Sequence, residues 1–154
     1  MDHILLHRRL AADLSTAMVY ALLRFRVEVF VVEQACAYQE LDGHDLDLTT
    51  RHYWLAPFGA MEQPLATLRL LEPAEGQFRI GRICAARRAR RQTAIRRLLE
   101  AALAEVGHSP CMLDAQRHCV EIYRAHGFVV GGEEFVEDGV PHVPMRRGAS
   151  AWIR

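Results

Sequence analysis

Between Arg87 and Arg97 six of eleven residues are arginine, and the run stands where a short apolar strand pattern gives way to a helical one. Ile80 and Ile83 with Cys84, Ala85 and Ala86 suit a central strand. Ile95, Leu98, Leu99, Ala102, Leu103 and Val106 then recur at helical spacing until Gly107 stops them. A helix beginning where a strand ends has unpaired N–H groups at the positive end of its dipole, so backbone and guanidinium charge converge on an anion site. A solvated helix face is the plainer account of an arginine run. The position at a strand-to-helix junction weighs against it.

Other clusters carry less. Asp42, Asp45 and Asp47 lie in a polar, turn-rich stretch from Cys36 to Thr50, but the later glutamate and the spacing of a calcium-binding EF-hand are missing. No H-x-x-x-H or Cys/His spacing supports a metal site. Cys36, Cys84, Cys111 and Cys119 show no C-x-x-C pair, and the N-terminal MDHILLHRRL has charges where a secretory core would be apolar. Free thiols in a reducing cytoplasm are therefore expected. Net charge is zero, so no global field draws in nucleic acid, and the longest apolar runs are far too short to span a bilayer.

The elements that must position these groups fit one domain, since 154 residues, half of them hydrophobic, bury one good core. A strand is expected at His3 to Leu6, then a helix starting near Asp13 or Ser15 and running to about Phe30, then a loop carrying Glu33 and Gln34. Strands follow at His52 to Ala56 and Leu65 to Leu71, with a hairpin between them. Beyond the central strand and its helix come a short strand at Cys111 to Ala115, a helix at Arg117 to His126, and strands at Phe128 to Val130, Glu134 to Glu137 and Val143 to Arg147. Hairpins in the middle with strand–helix alternation later predict an α+β (mixed α/β) fold, a mixed sheet flanked by helices.

Four blocks then carry a family resemblance: LLRFRVEVFVVEQACAYQELDGHD (Leu22 to Asp45) followed by His52, Gly81-Arg82-Ile83, DAQRHCVEIYRAHGF (Asp114 to Phe128), and EDGVPHVPM (Glu137 to Met145). In order and spacing they resemble the ElaA-like branch of the GNAT superfamily of acyl-CoA-dependent N-acetyltransferases, over nearly the whole chain. The resemblance implies a highly twisted sheet with a splayed pair of strands into which acetyl-CoA, the cosubstrate, wedges. Its pantetheine arm would pair with the strand of Arg82, Ile83, Cys84 and Ala85. Its pyrophosphate would sit on Arg90, Arg91, Gln92, Thr93, Ala94, Ile95 and Arg96, with Arg88 adding charge. Tyr123, in a Y-x-x-x-G-F block, matches the tyrosine that protonates the leaving CoA thiolate in many members, a general-acid role.

The pyrophosphate turn departs from the family pattern, because its glycine positions hold Arg91, Thr93 and Ile95. Glycine there allows close approach of backbone to phosphate. Either the turn keeps its shape and the arginines hold phosphate by charge-assisted hydrogen bonds, or Thr93 and Ile95 fill the ligand's volume and leave a catalytically impaired binding protein. Ile95 also fits the apolar stripe of its helix.

Acetyl transfer requires a neutral amine, so a base must take a proton. Glu33, His52 and His142 are the candidates; the histidines titrate near neutrality unaided, and Glu33 needs partial burial. Glu40, Asp42, Asp45 and Asp47 could attract a cationic amine. Gln116 and Arg82 suit orienting roles. The expected activity is transfer of acetyl from acetyl-CoA to a primary amine of a small molecule or peptide by direct attack, and Cys119 would serve only a ping-pong route. No nucleic-acid or membrane partner is expected, and a homodimer is common in the family.

Overall fold

The computed structural model describes residues 3–35, 39–89 and 91–148. Its strands are β1 (Ile4–Leu10), β2 (Arg51–Pro57), β3 (Ala66–Ala74), β4 (Gln77–Ala85), β5 (Cys111–Gln116), β6 (Val129–Val130), β7 (Phe135–Glu137) and β8 (Val140–Arg147). They form one mixed sheet in the order β1-β2-β3-β4-β5-β8-β6, with β7 on β8. All pairings are antiparallel except β4 with β5, which are joined by α2 (Arg91–Val106).

The sheet is covered on both faces, so β2 is buried from His52 to Ala56 without alternation. Tyr53, Leu55, Leu68 and Leu70 join the α2 stripe of Ala94, Leu98, Leu99, Ala102, Leu103 and Val106 in the main core. Trp54 and Ala56 pack instead against Met18 and Leu22 of α1 (Thr16–Val27). Gly107, at φ +60°, ends α2 by returning its N–H to the Leu103 carbonyl at 2.9 Å.

Two helices differ from expectation. Ser15 caps α1, its Oγ accepting from the Met18 N–H at 3.1 Å, but the α-helix stops at Val27. Glu28–Glu33 form a π-helical turn in which the Gln34 N–H reaches Val29 at 3.1 Å. The wider turn lets the adjacent Val29 and Phe30 both enter a cluster with Phe25, Cys84 and Ala86. Glu33 consequently ends a helical turn and is no loop residue. The second difference is the helix expected over Arg117 to His126. It is a 3₁₀ turn at Arg117–Cys119 followed by α3, only Val120–Arg124. No helix of the described residues is long and apolar enough to cross a membrane.

Candidate active site

β4 and β5 run parallel but pair only at Phe78 with Cys111 and Arg79 with Met112. Past those residues the strands part, and the opening faces their carboxyl ends, the usual ligand side of a strand–helix–strand unit. On one side of it β4 leads into α2; on the other β5 leads into α3, and β8 follows, with Gln116 opposite His142.

The β4-to-α2 turn is tight. The Ala86 N–H donates to Leu65 at 2.8 Å and the Ala89 N–H to Ala86 at 3.0 Å. Arg87, Arg88, Arg91, Gln92, Thr93 and Arg96 are exposed, whereas Ala94 is buried and Ile95 packs against the main core. Ile95 therefore does not stand over the turn. Arg90 lies outside the described residues, as does Cys36. Glu33, exposed at the end of the π turn, brings its carboxylate to 3.8 Å from Arg91 Nη2 and 4.0 Å from Arg87 Nε. Arg88 also lines a groove of about 510 Å³ against Tyr20, Arg24 and Phe25 of α1.

Tyr123 is 9% exposed within the main core, its ring edge-on to Phe128 at 6.2 Å. Among the described residues nothing hydrogen-bonds its hydroxyl. Burial, and secondarily the nearby Cys119, pushes the phenol well above its ordinary range, so it stays protonated at neutral pH. Burial likewise raises the Cys119 thiol and pushes Cys84, with Thr67 Oγ1 3.4 Å away, up to about 12. Neither thiol is a thiolate at neutral pH, which disfavours a covalent acyl-cysteine. His142 is half-buried and stacks on Phe135 at 5.6 Å. Its Nδ1 donates to the Val140 carbonyl at 2.8 Å, so in the neutral ring the lone pair is on Nε2.

The acidic loop is turned inside out relative to expectation. Glu40 and Asp45 are buried, and the loop exposes Leu41, Leu46 and Leu48. Arg26, 1% exposed, donates Nε to Glu40 at 2.6 Å and Nη1 to Asp45 at 2.5 Å. Arg69 holds Asp42 at 2.7 Å and Asp45 at 3.2 Å, and Arg82 reaches Glu40 at 2.8 Å and Asp42 at 3.1 Å. Asp47 pairs with His44 at 2.9 Å. Three guanidinium groups thus cancel the carboxylates of Glu40, Asp42 and Asp45, which corrects the expectation that this segment attracts a cationic amine. In a dry interior such charges are tolerated because they are paired.

His52 belongs to that cluster and not to the opening. It is 5% exposed, and its Nε2 donates to the Asp45 carbonyl at 2.8 Å. Burial, then the nearby Arg26 and Arg69, lower its pKa against the pull of Asp45. A group with a depressed folded pKa stabilises fully above its unfolded value, about 6.5, and loses that contribution as pH falls. The melting temperature should therefore decline from pH 7.5 to 5.5, with a share from His7, whose pKa burial and Arg9 also lower. H52Q keeps an N–H for Asp45 but cannot titrate, so its melts should show a shallower decline; an unchanged slope would contradict this account.

The residues that sequence reasoning passed over are Arg26 and Arg69, the cations of the buried cluster, and the backbone of Arg82, which is left-handed at φ +51°.

Known proteins share this architecture. The structure of an acyl-CoA N-acyltransferase from Pseudomonas aeruginosa superposes with a TM-score of 0.85 at 42% identity, covering 93% of this chain and 99% of that one. That of Escherichia coli ElaA gives 0.85 at 32%, covering 94% and 99%. In sequence, the UPF0039 protein Rv2851c of Mycobacterium tuberculosis is 53% identical over 152 residues, 96% of either chain. Residues 26–148 match the acetyltransferase (GNAT) domain, and with these relatives the chain belongs to the GNAT acetyltransferase family, on its ElaA-like branch.

Proposed function

We propose that the protein transfers an acetyl group from acetyl-CoA to a primary amine of a small molecule or peptide by direct attack. The family and fold are those of acyl-CoA-dependent N-acyltransferases. The observation that carries the finer reading is the opening between β4 and β5, with the arginine turn at one lip and Tyr123 and His142 on the elements of the other. The turn fits a diphosphate despite its missing glycines: Ile95 packs away on the core, Thr93 is exposed, and Arg87, Arg88, Arg91 and Arg96 remain exposed around it.

In this mechanism the amine nitrogen attacks the thioester carbonyl, the carbon–sulfur bond breaks, and Tyr123 gives its proton to the departing sulfur. His142, with an available Nε2, takes the amine proton; Glu33 is the second candidate, though its carboxylate is turned toward Arg87 and Arg91. Because the acidic loop is neutralised, the acceptor is recognised by shape and hydrogen bonding more than by a negative field.

Isothermal titration with acetyl-CoA and with CoA tests the cofactor half. Affinity in the micromolar range, weakening with added salt, is expected from arginine–phosphate pairing. No binding at millimolar ligand would instead support a family member that has lost its cosubstrate.

A further inference from the structure

We infer that Arg82 is a positioning residue: its guanidinium, clamped by Glu40 and Asp42, holds a bulge in β4 that shapes the strand edge along the opening. This rests on the proposal that acyl-CoA binds between β4 and β5.

The register requires a bulge. Thr67 pairs with Cys84 and Arg69 with Gly81, so Arg82 and Ile83 together oppose Leu68 alone. The bulge lies in the part of β4 that has already left β5. Its left-handed residue is Arg82 at φ +51°, while the neighbouring Gly81, which could take that conformation freely, does not. An arginine is strained there, and such strain persists only where surrounding contacts impose it. They are present on both ends of the residue. Nε and Nη2 donate to the Glu40 carbonyl at 3.3 and 3.1 Å, Nε lies 2.8 Å from the Glu40 carboxylate, and Nη2 lies 3.1 Å from that of Asp42. The Arg82 carbonyl accepts from Thr67 Oγ1 at 3.3 Å.

Glu40 is itself fixed by Arg26 of α1, and Asp42 by Arg69 of β3. The buried charges thus tie α1, the acidic loop and β3 to the one strained position on β4. Their arrangement explains why paired charges occupy this part of the interior. They select a backbone conformation, which apolar side chains could not do through directed hydrogen bonds.

The test separates backbone from charge by comparing R82A, R82G and D42N with the natural protein, using CoA as probe in calorimetry, with thermal melts alongside. If the unaltered protein does not bind CoA, the proposed function fails and not the clamp. Given binding, R82A should weaken CoA about tenfold, because it loses the clamp and keeps the strain. R82G should stay within about threefold, because glycine holds positive φ without help. Both should melt lower than the unaltered protein, so affinity distinguishes them where stability does not. D42N leaves Arg82 in place at a partly exposed partner; it should weaken CoA binding alone and have no further effect in an R82G background. The clamp is overturned if R82A binds normally, if R82G falls as far as R82A, or, where R82A does not fold, if D42N acts equally in both backgrounds.

Discussion

Replacing Arg26 by alanine should lower the melting temperature by about 6–20 °C, a large effect for a single side chain. Arg26 is 1% exposed and sits between two buried carboxylates, at 2.6 Å from Glu40 and 2.5 Å from Asp45. Burial by itself would raise the Asp45 carboxyl; hydrogen bonding and charge from Arg26, with help from Arg69, outweigh it and hold the group below its ordinary range. Taking away one partner of a buried pair costs about 3–5 kcal/mol, chiefly because the other charge is left uncompensated. At about 2–4 °C per kcal/mol for a domain of this size, that is a large shift. R24A is the control: Arg24 lies on the same helix, 3.4 Å from Glu28, with 69% of its side chain exposed. Its loss should cost at most about 1 kcal/mol. Equal melts for R26A and R24A would mean that solvent reaches the cluster and that its charges are not buried.

The same residue shows how far the sequence could be read. The stripe Met18, Leu22 and Arg26 follows helical i, i+4 spacing, so an arginine at a core position was visible as an anomaly in α1. What satisfied it was not visible, because Glu40 and Asp45 lie in a turn-rich stretch that composition marks as solvated, and Arg69 and Arg82 lie on strands far along the chain. Pairing across such separations is a tertiary fact. The Arg82 bulge was hidden for a related reason: glycine is the strongest sequence signal of positive φ, arginine gives none, and here the glycine stands one position early. Periodicity succeeded where burial is one-sided. The α2 stripe and the strand before it were legible for that reason, and with them the arginine turn. It failed where local geometry changes period, at the π turn and at the short α3. Family resemblance supplied Tyr123, which no spacing in its own helix marks as anything but a core tyrosine.

Replacing Tyr123 by phenylalanine should lower kcat about 10²- to 10³-fold while leaving the affinity for acetyl-CoA within about twofold. The ring already fills its place beside Phe128 in the main core, so phenylalanine preserves packing. The hydroxyl has no hydrogen-bond partner among the described residues, and losing it should leave the melting temperature unchanged or slightly raised. What disappears, in the proposed mechanism, is the proton that Tyr123 would give to the sulfur. Burial raises the phenol's pKa, which keeps it protonated at neutral pH, and in that mechanism it donates only as negative charge gathers on the departing sulfur. An interaction made only in the transition state shows in kcat and not in ground-state binding. The size follows from the usual worth of a positioned general acid, about 10²- to 10⁴-fold. C119A is the counterpart: with a neutral, half-buried thiol, Cys119 should neither carry acetyl by mass spectrometry after incubation with acetyl-CoA nor affect turnover more than about twofold. A Y123F protein that turns over within threefold of the unaltered one would assign the proton to water and leave Tyr123 as packing. A stable acetyl on Cys119 would overturn direct attack itself, whatever Tyr123 does.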